Sequence, residues 1–149
     1  MKRVDDLYHP RVLELAADIP HVGRLPDADG SATKVSRVCG STVTVDLALE
    51  HSRIARFAIE PKACALGQAA AAVLAMHAIG SSPDDIRAAR EALAAMLKAG
   101  AAPPSGRFWE LRHLEGVRNY PQRHASTLLA FEAAAAALDM AEAKARAPA

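Results

Sequence analysis

Three stretches of the chain alternate apolar and polar residues with a period of two. Thr42 to Glu50 is the clearest: Val43, Val45, Leu47 and Leu49 point one way, Thr44 and Asp46 the other, the pattern of a half-buried strand. Arg53 to Glu60 repeats it with Ala55, Phe57 and Ile59 inward, and Glu50-His51-Ser52-Arg53 is short enough for a hairpin loop. Thr33 to Val38 is a weaker third strand. Parallel neighbours would need longer crossovers, so an antiparallel meander is the simplest arrangement.

Outside this block the period becomes helical. A first helix is expected from about Asp5 to Ala17, or from nearer Pro10, with Val12, Leu13 and Ala16 as its buried stripe. Pro20, Gly23, Pro26 and Gly30 then mark an extended loop. After Cys64 an alanine-rich helix should span Ala65 to Ile79 and stop at Gly80. Ser82-Pro83-Asp84-Asp85 supplies a capping serine, a proline at the first helical position and acidic residues in the first turn of a helix reaching Lys98. A short element around Trp109 to Leu114 precedes a last helix from near Pro121 that carries Leu128, Leu129, Phe131 and Leu138. The order reads as one α+β domain over residues 1–149, a three-stranded antiparallel sheet with helices packed on one face, and a flexible tail after about 141.

Composition narrows the function classes. The net charge is +1 and charges are interspersed, so there is no footprint for nucleic acid and no tail for a membrane surface. The longest apolar run, Ala69 to Met76, is far short of the roughly 20 residues that span a bilayer. The opening Met1-Lys2-Arg3-Val4-Asp5-Asp6 turns acidic before any apolar stretch, against a secretory signal. Two cysteines in such a chain point to reduced thiols in a cytoplasmic setting, metal-binding or reactive, with a disulfide the less favoured state.

Both cysteines fall at element ends. Cys39 precedes Gly40, before the second strand, and Cys64 sits where the third strand turns into a helix. In an antiparallel meander the start of strand two lies beside the end of strand three, so the two thiols should meet at one rim of the sheet. A thiol at a helix N-terminus faces the positive end of the dipole, which favours thiolate; alternatively Cys64 is a small apolar residue closing the corner. His124, in the first turn of the last helix, is the best third ligand candidate, since imidazole partners thiolate at zinc or iron; a solvated histidine at a helix start is the alternative. Asp84-Asp85 is better read as helix capping than as a carboxylate pair. No phosphate-binding glycine loop, HExxH or GxSxG is present, and no acid–base pair completes a catalytic constellation.

Several segments together resemble the IscU/SufU/NifU N-terminal-domain family of iron–sulfur cluster scaffolds, over roughly Leu7 to Leu138. Cys39-Gly40-Ser41 resembles the family's Cys-Gly-Asp with serine in place of aspartate. Ala63-Cys64-Ala65-Leu66-Gly67-Gln68 resembles its Gly-Cys and small-residue helix, and Leu114 to Arg123, with Tyr120-Pro121-Gln122-Arg123, is similar to the SufU branch. The family's third cysteine is missing. An ungapped match puts it at Ser126; a shift by one places it at Ala125 and pairs His124 with the family's histidine, but rotates the side chain by about 100° around a helix.

The resemblance implies a SufE/IscU/NifU-like fold and a scaffold rather than an enzyme. It implies iron or a [2Fe–2S] cluster, or zinc, held by Cys39 and Cys64 with His124, Ser41 or Ser126 completing the set. The implied partners are a cysteine desulfurase and acceptor apo-proteins, with a homodimer as an option. Two further readings stay open: a zinc-dependent sulfurtransferase that accepts persulfide on Cys64, and a metal-free interaction module.

Overall fold

The computed structural model describes residues 7–148, so Asp5 and Asp6 of the expected first helix lie outside the described residues. Helix α1 spans Pro10–Ala17, with proline in its first turn. Strands β1 (Gly30–Val35), β2 (Thr42–Glu50) and β3 (Arg53–Lys62) form an antiparallel sheet in the order β1-β2-β3. Helices α2 (Ala65–His77) and α3 (Pro83–Lys98) follow, then a 3-10 segment over Gly106–Asn119 that kinks at Phe108. A 3-10 turn at Pro121–Arg123 leads into α4 (His124–Arg146). Helix α4 continues past position 141, where the sequence pattern suggested a tail.

The sheet's apolar face carries Val43, Val45, Leu47, Phe57 and Ile59, all buried. Helix α4 lies across β1 and β2, α2 fits between β3, α1 and α4, and α3 backs onto α4. The buried alanines of α2 and α4 explain the low aromatic content, because small side chains let helices approach closely without large rings between them. Asp46, on the opposite face, is also buried. It is held by the Arg24 guanidinium at 2.7 Å and the backbone N–H of Leu25 at 3.0 Å, which ties the loop before β1 to the sheet.

Several element details differ from the alternation pattern, each for a local reason. A register shift at Ala48/Leu49 pairs Leu49 with Ile54, so Ile54 rather than Ala55 reaches the core. His51 and Ser52 both have positive φ, 54° and 62°, the requirement of a two-residue hairpin turn whose twist matches the strands. In α1 Leu15 is buried and Leu13 is 48% exposed, because the paired hydrogen bonds from Arg11 to Glu110 set the helix's rotation against the 3-10 segment. β1 begins at Gly30 and ends at Val35 because Ser36 leaves the sheet to close a turn with Ser41. Helix α2 ends at His77, since Gly80 and Ser81 exchange backbone hydrogen bonds with Ile54 at 2.8 and 2.9 Å.

Candidate functional site: a thiol and hydroxyl rim

The register of the central pair decides where the cysteines go. Thr42, the first residue of β2, pairs with Lys62, the last of β3. The chain entering β2 and the chain leaving β3 therefore emerge side by side. Cys39 lies just before the first point and Cys64 just after the second.

On the β2 side, Ser36 to Ser41 forms a closed turn. The Ser36 N–H donates to the Ser41 carbonyl and the Gly40 N–H donates to the Ser36 carbonyl, both at 2.8 Å. Gly40 takes φ +74°, a left-handed conformation that glycine adopts without a Cβ penalty. The turn presents Cys39 outward, flanked by Val38 at 71% and Val35 at 57% exposed. It also folds two hydroxyls back under the sulfur. Cys39 Sγ lies 3.0 Å from Ser41 Oγ and 3.6 Å from Ser36 Oγ, and both serines are buried.

On the β3 side, Cys64 is the residue before the first turn of α2. Its backbone is extended (φ −66°, ψ 169°), its carbonyl accepts from the Gln68 N–H at 2.9 Å, and its side chain makes no capping bond. The thiol therefore stays available to the rim. Gly67, one turn into the helix, is what allows α4 to come close. A Cβ there would sit 2.9 Å from the Ser126 carbonyl oxygen and 2.9 Å from Ala63 Cβ, so a side chain does not fit. This contact sets the buried Ser126 beside Cys64, with Cys64 Sγ 3.7 Å from Ser126 Oγ.

Ser126 also has a slight influence on the other thiol. The Cys39 thiol is held down from its ordinary 9.0 to about 7, first by the Ser41 hydroxyl, then by Ser36 and the Ser41 backbone, against a small opposing effect of burial, with the Ser126 hydroxyl helping. Ser126 thus lies against Cys64 and contributes the least of the influences on Cys39. With the thiols protonated, Ser126 Oγ–H donates to the Arg123 carbonyl at 3.2 Å; when Cys39 ionises the same proton can turn toward the sulfur. About half of Cys39 is thiolate at neutral pH, beside a second thiol and three small hydroxyls.

His124 is engaged elsewhere. Its Nε2 donates toward the carbonyls of Val117 and Arg118 at 3.0 and 3.3 Å, tying α4 to the end of the 3-10 segment. Two positions before Ser126 on a helix correspond to about 200° of rotation, so the two side chains leave opposite sides of α4. Among the described residues no group of three or more His, Cys, Asp and Glu side chains is arranged to hold a metal. Lys62 is exposed and Arg123 half-buried at the same rim. Ser36 was missed by sequence reasoning; its signal was a serine three positions before a cysteine that itself precedes Gly-Ser, a spacing a tight turn brings together.

The NifU-like N terminal domain family model matches residues 7–146. The chain belongs to this family. A crystal structure of a nitrogen-fixing NifU-like protein (N-terminal) from Brucella abortus is 46% identical, with a TM-score of 0.92 over 95% of this chain and 98% of that one. A putative iron–sulfur cluster assembly scaffold protein for the SUF system from Fervidobacterium islandicum is 20% identical, with a TM-score of 0.82 over 91% of this chain and 99% of that one; at that identity the likeness is one of fold. No curated protein matches the sequence. The three-stranded antiparallel sheet with its helices is the architecture of these NifU-like relatives. No helix among the described residues is long and apolar enough to cross a membrane.

Proposed function

We propose that this NifU-like domain is an iron–sulfur cluster assembly scaffold that carries iron or a nascent [2Fe–2S] cluster as cargo on Cys39 and Cys64. The supporting observation is the strand register that brings both thiols to one rim of the sheet, Thr42 pairing with Lys62, with the Ser126 hydroxyl 3.7 Å from Cys64 Sγ. Thiolate sulfur suits iron, zinc and clusters, and one of the two thiols is half ionised at neutral pH. Ser41 and Ser126 stand beside the sulfurs as weaker oxygen donors, or as hydrogen-bond donors to sulfur.

Two thiolates and two hydroxyls are fewer strong ligands than the four a closed zinc or cluster site uses. The cargo therefore keeps open positions at the rim, where a donor or acceptor protein can reach it. The exposed Val35 and Val38 give such a partner an apolar edge around Cys39. By family, the donor is a cysteine desulfurase and the recipients are acceptor apo-proteins, in the cytoplasm. In this reading the protein is a carrier with no turnover of its own.

A second reading draws on the same contact. The Ser126 hydroxyl against Cys64 Sγ can donate to a persulfide anion as readily as to a thiolate, so a sulfurtransferase taking persulfide on Cys64, with or without zinc, uses the same rim. Anaerobic incubation with iron and sulfide, followed by metal analysis and visible absorption, tests the scaffold reading. Wild type should take up iron and colour, and Cys39→Ala and Cys64→Ala should lose both. His124→Ala, which removes the imidazole held by the Val117 and Arg118 carbonyls, decides whether that ring moves to the metal. Ser126→Cys, which adds a third sulfur beside Cys64, should raise iron retention. Equal metal content in wild type and both cysteine variants would refute the assignment, and a colourless, metal-free wild type would favour an interaction module.

A further inference from the structure

We propose that Cys39 and Cys64 are also a peroxide-responsive dithiol: a hydroperoxide oxidises Cys39, and Cys64 then closes a disulfide onto it. The inference is independent of the scaffold reading, because it needs only the metal-free chain.

Four observations carry it. Both cysteines are free, and the pairing of Thr42 with Lys62 brings them out at one rim of the sheet, where the Ser126 hydroxyl lies 3.7 Å from Cys64 Sγ. Their exposures divide the labour: Cys39 is exposed and meets a soluble oxidant first, while Cys64 is half-buried and best placed for an internal second step. Cys39 Sγ lies 3.6 Å from the Ser36 hydroxyl and 3.0 Å from the Ser41 hydroxyl, which can hydrogen-bond a departing oxygen. Finally, Cys39 rides on an exposed surface turn rather than inside a strand or helix, next to Gly40, where a Cβ would meet nothing within 4 Å. An accessible thiol beside a second, more sheltered one is the arrangement in which oxidation ends in an internal disulfide.

The steps balance. Cys39 thiolate attacks one oxygen of the hydroperoxide and the O–O bond breaks. The alcohol, or water from hydrogen peroxide, leaves with a proton, and Cys39 becomes a sulfenic acid. Cys64 thiolate then attacks the Cys39 sulfur, the S–O bond breaks, and hydroxide leaves as water with the proton Cys64 gave up. Two thiols have lost two electrons and two protons, and one peroxide has become an alcohol and a water. Closing a bond of about 2 Å requires the Ser126 hydroxyl to withdraw from Cys64 Sγ, and its bond to the Arg123 carbonyl gives it another partner. Closure removes both sulfurs from any metal or persulfide chemistry at the rim until a reductant reopens it.

The test is to treat the metal-free, reduced full chain with hydrogen peroxide, count thiols with a maleimide, and map peptides by mass spectrometry without reduction. The expected result is paired loss of both thiols in a monomer, one Cys39–Cys64 disulfide per chain, and full recovery with a thiol reductant. Cys64→Ser should stop at a Cys39 sulfenic acid trapped by dimedone, and Cys39→Ser should lose the peroxide reaction. A disulfide between chains, a Cys39 sulfinic acid with Cys64 still free in wild type, or first oxidation at Cys64 would each overturn the proposal.

Discussion

Replacing Ser41 by alanine should change the ionisation of Cys39 without touching the fold. Ser41 Oγ lies 3.0 Å from Cys39 Sγ and is the largest of the influences that hold the thiol at about 7 rather than 9.0. At pH 7 a thiol titrating near 7 is about half ionised, whereas one at 9.0 is about one part in a hundred ionised, a difference of about fifty-fold in thiolate. Intrinsic nucleophilicity falls as the thiol becomes more acidic, with a slope of about 0.4–0.5, which takes back about tenfold over two units. The net advantage of wild-type Cys39 over an ordinary thiol is therefore about fivefold at pH 7. The assay is alkylation by iodoacetamide against pH in a Cys64→Ser background, so that only Cys39 reports. Wild type should show a midpoint near 7; Ser41→Ala should move it up toward 9.0 and slow alkylation at pH 7, by at most about fivefold. The stability sign follows: an acid depressed in the folded state stabilises above its ordinary value, and that contribution is lost as pH falls through about 7. A wild-type midpoint near 9.0, or one unmoved by Ser41→Ala, would refute the hydroxyl cradle.

Gly67→Ala gains helix propensity of about 1 kcal/mol, but its Cβ must displace the Ser126 carbonyl and Ala63; a net loss in melting temperature, with weaker iron uptake than wild type, is expected. Burial pushes the Asp46 carboxyl up, yet Arg24, Ser31 and the Leu25 N–H together hold it below the ordinary range. Its contribution is therefore present at neutral pH and lost as pH falls through that lowered value, and Asp46→Asn should cost about 2 kcal/mol in urea melts at pH 7 while flattening the acid limb. Ser82 accepts from the Asp85 N–H and Asp85 accepts from the Ser82 N–H, so Ser82→Ala should lower stability by about 1 kcal/mol and leave the alkylation of Cys39 unchanged.

The sheet was legible because alternation is a direct consequence of the pleat: the bounds of β2 follow from Val43, Val45 and Leu47 alone. The common rim of Cys39 and Cys64 was legible for the same reason, since antiparallel topology fixes which strand ends are neighbours. Features set by contacts distant in sequence were not. That Leu15 rather than Leu13 turns inward depends on Arg11 meeting Glu110 across the fold. The end of α2 depends on Gly80 and Ser81 meeting Ile54. His124 is the instructive residue at the site: its type matched a ligand, while its direction was decided by two carbonyls at the end of the preceding segment.

A rim of two thiols and three hydroxyls has its own energetics in the metal-free state. Three thiolates gathered at one point repel one another and favour whatever cation neutralises them. Here Ser36, Ser41 and Ser126 are all buried, and a buried hydroxyl without a partner would cost about 1–3 kcal/mol. Each has one: Ser36 and Ser41 meet Cys39, and Ser126 meets Cys64 and the Arg123 carbonyl. The rim is thus satisfied before any metal or sulfur arrives, and an incoming ion must break hydroxyl–thiol contacts to bind. Under the scaffold reading proposed above, weak and reversible loading is the expected consequence of that competition, measurable as easy loss of iron to a chelator.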